Sequence, residues 1–369
     1  MLSGLGRGHE KGEGTRGERS KTFPSFFLEG TLLTTSFHGV HMMHRTFLRY
    51  VKITAIFSLL SCFFIPVALA GEAEVLTVLN TDSGLSGNRV NGLAPDRGFG
   101  IFIATDGGLH VFVDYVYLPI FQKIEAYMIA GGLENTLWAL IDEPSLYRVR
   151  TDNEMWLAER IPRPEGSKEV TALASLSDTL FIATDTGLSC IADTDDTYHP
   201  VLTDDSAVTA MITAAEGTLA VAMTDTESGA PGLKILGGEI FGRRGWVPEL
   251  FNHEITSLWL APNALFAGTK EGELIRIDRE NAVRVYLSPD TLRALFPGRI
   301  NDIMVDEDRL YVAAENGLYA GDADADNIDI VFDGDAPLEG AFTCLSPGPG
   351  FSIWAGTHDD GVYLITYRE

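Results

Sequence analysis

The chain reads as all-β: a closed ring of seven four-stranded antiparallel blades, a seven-bladed β-propeller. Three observations predict it. A six-residue apolar phrase recurs with starts at 101, 137, 180, 219, 265, 310 and 353, a mean spacing of 42 residues. Each copy stands among short β-branched and aromatic runs bounded by turn residues, four runs to a unit, and such runs are strands. The last unit stops one run short, and a run near residue 74 supplies the missing piece. A fixed period of this length marks a repeat architecture, and four strands per period make one blade.

The phrase is Ile101-Phe102-Ile103-Ala104-Thr105-Asp106 in the first unit and Leu180-Phe181-Ile182-Ala183-Thr184-Asp185 in the third. About ten residues upstream lies another strand, as in Val170–Leu173, Val208–Met211, Ile255–Leu258 and Ile300–Ile303. Turn formers such as Asp306-Glu307-Asp308 separate the two. A glycine follows the phrase at Gly107, Gly187, Gly272, Gly317 and Gly361 and leads into a third strand, such as Gly317–Ala320. A fourth closes the unit, as in Val283–Tyr286 and Ile328–Val331. Helical spacing is confined to a turn or two around Pro289–Phe296.

The phrase is therefore the second strand, packed between blades. Its second position reads Phe102, Trp138, Phe181, Ala220, Phe266, Tyr311 and Trp354, rings that fill the wedge between sheets. The Ala or Gly at its fourth position lets a neighbouring sheet approach closely. Glu74–Leu79 is expected to complete the last blade, so that no open sheet edge remains at the junction.

Residues 1–41 match no repeat and read as an N-terminal extension, mis-called or disordered. Residues 42–70 have a basic start, an apolar run from Ile53 to Leu69 and the exit Ala68-Leu69-Ala70, which describes a secretory signal peptide cleaved after Ala70. An uncleaved anchor is the rival reading, since the run is about long enough to span a bilayer. The propeller is then 71–369, exported to the periplasm or secreted, with no membrane span after cleavage.

The whole chain carries a net charge of −25, and residues 71–369 carry −29. A surface so acidic repels nucleic acid and anionic lipid. Cys190 and Cys344 fall in the third and seventh units, which do not touch. Two small thiols without a bridge are expected, and no CxxC or His-rich spacing accompanies them.

The first unit carries a fuller pattern: Gly84-Leu85-Ser86-Gly87-Asn88-Arg89-Val90, then Asp96-Arg97-Gly98, then the phrase with Gly107-Gly108-Leu109. This resembles the two-component-regulator propeller repeat, roughly G-L-S-x-N-x-V, D-x-x-G and W-x-G-T-x-x-G-L. Later units keep the T-x-x-G-L part, best at Thr184–Leu188 and altered at Thr357–Val362. The resemblance implies a periplasmic sensory or docking propeller of the kind found in hybrid histidine kinases. The sequence departs from that pattern in having no second propeller and no kinase segment, so a free-standing relative is expected.

The sixth position of the phrase begins the turns on the face that carries the links between blades, a common ligand face of propellers. It reads Asp106, Asp142, Asp185, Thr224, Lys270, Glu315 and His358. A ring of polar groups at the axial mouth is the candidate binding site. The partner expected is an envelope protein or a small ligand, taken by a monomer acting as a sensory or scaffolding module. The alternative is a lyase or glycan hydrolase using acids at the same mouth, although no nucleophile elbow, phosphate loop or repeated His set is present. No cofactor is implied beyond a weak calcium candidate, Asp322, Asp324, Asp326 and Asp333, whose alternating aspartates echo a calcium loop.

Overall fold

The computed structural model describes residues 73–367 apart from short internal segments, the longest being 288–297. The extension 1–41, the leader 42–70 and the turn around Pro289–Phe296 lie outside the described residues.

The seven units form seven antiparallel blades, each strand paired with the next in chain order. Blade 1 comprises Val90–Pro95, Ile101–Thr105, Gly108–Val113 and Val116–Gln122. Blades 2 to 6 begin at Ala126, Val170, Val208, Ile255 and Ile300. Blade 7 takes Phe342–Pro347, Ser352–Thr357 and Val362–Tyr367 from its own unit. Its fourth strand is Ala73–Leu79, antiparallel to the third with Leu79 opposite Val362 and Ala73 opposite Tyr367. The short hairpin Phe332–Asp333 and Ala336–Pro337 extends this sheet outward, Ala73 pairing in parallel with Asp333. First strands touch neighbour to neighbour around the ring, blade 7 to blade 1 included. Among the described residues no helix is long and apolar enough to cross a membrane.

The phrase is apolar at successive positions because the second strand is buried on both faces. Side chains alternate across a strand, and the buried clusters follow that alternation. Ile101 and Ile103 pack toward blade 7, while Phe102 and Ala104 pack toward blade 2. Leu180 and Ile182 face blade 2, and Phe181 and Ala183 face blade 4. Leu310 and Val312 face blade 5, and Tyr311 and Ala313 face blade 7. The second-position residue, ring or Ala220, always packs toward the following blade. The fourth-position glycines explain themselves by contact. A Cβ on Gly268 would stand 2.5 Å from Ile300 of the next blade, and one on Gly356 2.7 Å from Val90.

A second periodic device was not read from the sequence. In every blade the pairing of first and second strands slips after the first residue, a bulge at the second. A bulge takes its extra residue out of the ladder and re-aims it. In several blades that side chain donates to the carbonyl that opens the next blade's first strand. Asn91 Nδ2 reaches Ala126 O at 2.9 Å, Thr209 Oγ1 reaches Ile255 O at 2.7 Å and Thr256 Oγ1 reaches Ile300 O at 2.6 Å. Asn301 Nδ2 reaches Phe342 O and Thr343 Oγ1 reaches Val90 O, both at 2.7 Å. These clasps tie innermost strands to one another where no ladder joins them.

The Gly84–Val90 segment seals the last blade to the first. Leu85 and Val90 are buried in the core between them. Asn88 accepts the Thr81 N–H on its side chain at 2.8 Å and the Gly361 N–H on its carbonyl at 3.0 Å. His110 Nε2 takes the Ser86 N–H at 3.2 Å and lies 2.5 Å from Ser86 Oγ. The Cys344 thiol is buried beside this seam, and burial pushes it up to about 12, which leaves it inert; Cys190 is half-buried, and burial raises it too.

Candidate ligand-binding face

The seven position-six residues occupy one structural place. In each blade the backbone N–H at this position donates to the carbonyl of the residue just before the first strand. The pairs are Asp106 to Arg89 at 3.1 Å, Asp142 to Glu125 at 2.9 Å, Asp185 to Glu169 at 3.3 Å and Thr224 to Ala207 at 3.1 Å. They continue with Lys270 to Glu254 at 2.9 Å, Glu315 to Arg299 at 3.1 Å and His358 to Ala341 at 2.9 Å. The turns and the interblade links therefore share one face, as the sequence predicts, and the backbone bond is the same from Asp to Lys to His.

The buried threonine at position five builds the turn beneath. Thr105 and Thr184 hydroxyls donate to the carbonyls of Gly108 and Gly187 at 3.1 Å, and Thr357 to that of Gly361 at 2.9 Å. The T-x-x-G pattern at Thr105 and Thr184, one residue longer at Thr357, is thus a staple across the turn.

The side chains of position six differ in how free they stand. Asp185 Oδ1 accepts the N–H groups of Lys168 and Glu169 at 2.8 and 3.3 Å. The Lys168 bond holds its carboxyl below the usual range. A carboxylate so held stays ionised and is a poor general acid. Glu315 Oε2 accepts the Arg299 N–H at 3.3 Å, and Lys270 Nζ pairs with Glu254 at 2.9 and 3.0 Å. The Asp106 carboxylate lies against Gly87, where a Cβ would come within 1.9 Å of Oδ1. Asp142 is exposed, on a backbone with φ of 49°. His358 is exposed with Nδ1 2.9 Å from Asp359 Oδ1, and a pit of about 60 Å³ opens beside it between Phe342, Asp359, Asp360 and Tyr363. Thr224 is half-buried.

The link residues form a second tier that the phrase does not include. Arg89 pairs with Glu125 of the next link, and Asn91 Nδ2 reaches the same carboxylate at 3.4 Å. Blade 5 carries a group of four: His253 Nδ1 stands 2.9 Å from Glu273 Oε2, and the neighbouring Glu254 pairs with Lys270. The signal available was a charged residue directly before five of the seven first strands, Arg89, Glu125, Glu169, Glu254 and Arg299.

The calcium candidate divides. Asp324 and Asp326 lie outside the described residues. Asp322 ends the third strand of blade 6, while Asp333 sits in the outer hairpin of blade 7 with Oδ1 accepting the Val75 N–H at 3.3 Å. Among the described residues no three His, Cys, Asp or Glu side chains converge to hold a metal. Asp193, after the third strand of blade 3, binds Arg150 of blade 2 at 2.7 Å.

The chain matches no family model and no curated protein. It is similar to solved structures. The extracellular domain of BT4673 from B. thetaiotaomicron, described as a hybrid two-component system, superposes with a TM-score of 0.59 at 16% identity over 80% of this chain and 39% of that one. The corresponding domain of BT3049 gives 0.59 at 18% identity over 79% and 42%. YCF48 from Cyanidioschyzon merolae gives 0.57 at 10% identity over 80% and 99%. This chain thus spans about two fifths of the two-component relatives. At identities this low the superpositions show a shared fold alone.

Proposed function

We propose that this propeller is an exported binding module of sensory type, taking a small ligand or an envelope protein on its turn face. The observation that carries the reading is the contrast at position six. One backbone bond fixes seven turns in the same place, while their side chains run from Asp to Lys to His. A rigid frame with variable chemistry on one face is what a recognition surface requires. The fold likeness to extracellular domains of two-component proteins supports a sensory setting, and the acidic surface suits an exported partner-binding protein. Binding centres on blades 5 to 7, where Lys270, the His253–Glu273 pair and His358 place both charge signs on one arc.

The test is a thermal-shift screen with sugars, oligosaccharides and calcium, joined to a pull-down from periplasmic extract. A stabilising ligand whose shift vanishes in Lys270→Ala or His358→Ala supports the reading. A ligand whose shift survives both substitutions, and His253→Gln as well, places binding elsewhere and overturns it.

A further inference from the structure

We propose that a cleft between blades 6 and 7, on the face opposite the position-six turns, binds an organic cation: an ammonium or guanidinium group on an apolar stem. The cleft has a volume of about 290 Å³. Its walls come from the turns between first and second strands, Asp306–Asp308 in blade 6 and Phe351 in blade 7, and from the far ends of the third strands at Asp322 and Tyr367. These turns lie at the other end of the blades from the surface treated above, so the proposal stands apart from that reading.

The lining fits a cation in three ways. Its rings already hold one. The Arg309 guanidinium lies 4.4 Å from the Tyr367 ring centroid, and the Tyr311 and Tyr367 rings are 5.4 Å apart. Ring faces attract cations through their quadrupole, and Phe351, 69% exposed at the lip, offers another face. The charge balance of the described lining points the same way: Asp306, Glu307, Asp308 and Asp322 stand against Arg309. Finally, the Tyr367 Oη is shut from solvent without a hydrogen-bond partner, a buried acceptor that an N–H group would satisfy. Burial keeps that phenol neutral by raising it well above its ordinary value.

The form of the cation follows from the spacing. No three of these carboxylates converge as ligands to one metal ion. A charge distributed along a chain meets them better than a point charge. The apolar stem lies against Phe351 and Tyr311.

The experiment is a calorimetric titration of the full chain with spermidine at about 0.15 M salt, where diffuse attraction is largely screened. Saturable one-to-one binding is expected. Asp308→Asn and Phe351→Ala each weaken it about fivefold or more, while Arg309→Gln, which removes the competing cation, strengthens it. Glu165→Gln, an exposed carboxylate in the link between blades 2 and 3, leaves it unchanged. Trilysine in place of spermidine separates the sources: tighter trilysine points to a basic protein segment, tighter spermidine to a free polyamine, and either keeps the site. Absence of saturable heat overturns the proposal. So does equal weakening by Glu165→Gln, tighter binding of calcium than of spermidine, or weakening by Arg309→Gln in a variant that melts like the parent.

Discussion

The Thr343 hydroxyl donates to the Val90 carbonyl at 2.7 Å across 253 residues of chain, joining the innermost strands of the last and first blades. Thr343 stands at a bulge, and the bulge aims it. Thr343→Val keeps the shape and removes the bond. It leaves the Val90 carbonyl without this donor and is expected to cost about 1 kcal/mol, read as a lower midpoint in chemical denaturation with the slope unchanged.

Thr171 occupies the same place in blade 3, but its hydroxyl is buried without a partner. Thr171→Val removes an unsatisfied group and is expected to be neutral or stabilising. A loss as large as that of Thr343→Val would sink the clasp account, since the two sites would then differ in nothing that matters.

Gly356→Ala places a methyl 2.6 Å from Cys344 Sγ and 2.7 Å from a Val90 methyl. The blades must part to admit it, at a cost of about 1–3 kcal/mol. Pairing it with Cys344→Ala relieves one of the two contacts and is expected to recover part of the loss, a coupling measurable by a double-mutant cycle.

His110 sets an acid limit. It is buried, and burial holds it below its ordinary value of 6.5. Nε2 accepts the Ser86 N–H, so the proton of the neutral ring is on Nδ1, which has no partner. Protonation takes from Nε2 the lone pair that accepts the Ser86 N–H and puts a charge on a buried ring. Because the folded value is depressed, the stability from this group is whole above pH 6.5 and is lost as pH falls below it. His110→Gln is expected to lower stability at pH 7.5 and to flatten its fall between pH 6.5 and 5, followed by denaturation at each pH.

Asp302 works in the opposite sense. Its oxygens accept the N–H groups of Ile303 and Leu345 at 2.8 Å each, and burial nonetheless lifts its carboxyl to about 6. A raised folded value means that the stability linked to this group is whole below about pH 4 and is lost as pH rises through about 6. Asp302→Asn is expected to remove that decline. The same melts at pH 4, 5, 6 and 7 check it, and an unaltered slope in the variant would refute the assignment.

The ring was legible in the sequence because burial on both faces wrote itself into five consecutive positions of one strand. Leu310, Tyr311, Val312, Ala313 and Ala314 can be read without knowing what they touch. The missing strand was legible for the same reason, since Glu74–Leu79 is a run without a unit. The clasps were not, because a polar residue after a first-strand valine or isoleucine looks like ordinary solvent exposure until the bulge turns it. The candidate face was half legible: turn chemistry placed position six, but the partners of Lys270, Glu315 and Asp185 lie in the links, across a loop whose return no periodicity predicts. The cleft between blades 6 and 7 was not legible at all, since Arg309, Phe351 and Tyr367 come from two units and share no motif.

The strand Ala73–Leu79 leaves the ribosome ahead of every blade, yet its ladder partner Val362–Tyr367 emerges after nearly all of them. The innermost clasp from Thr343 to Val90 waits as long. For most of its synthesis the chain holds a sheet edge with nothing to pair to, and the pairing that closes the ring is of the long-range kind that is intrinsically slow to form. Such a ring cannot lock until its last strand meets its first, so the two ends of the propeller stand or fall together.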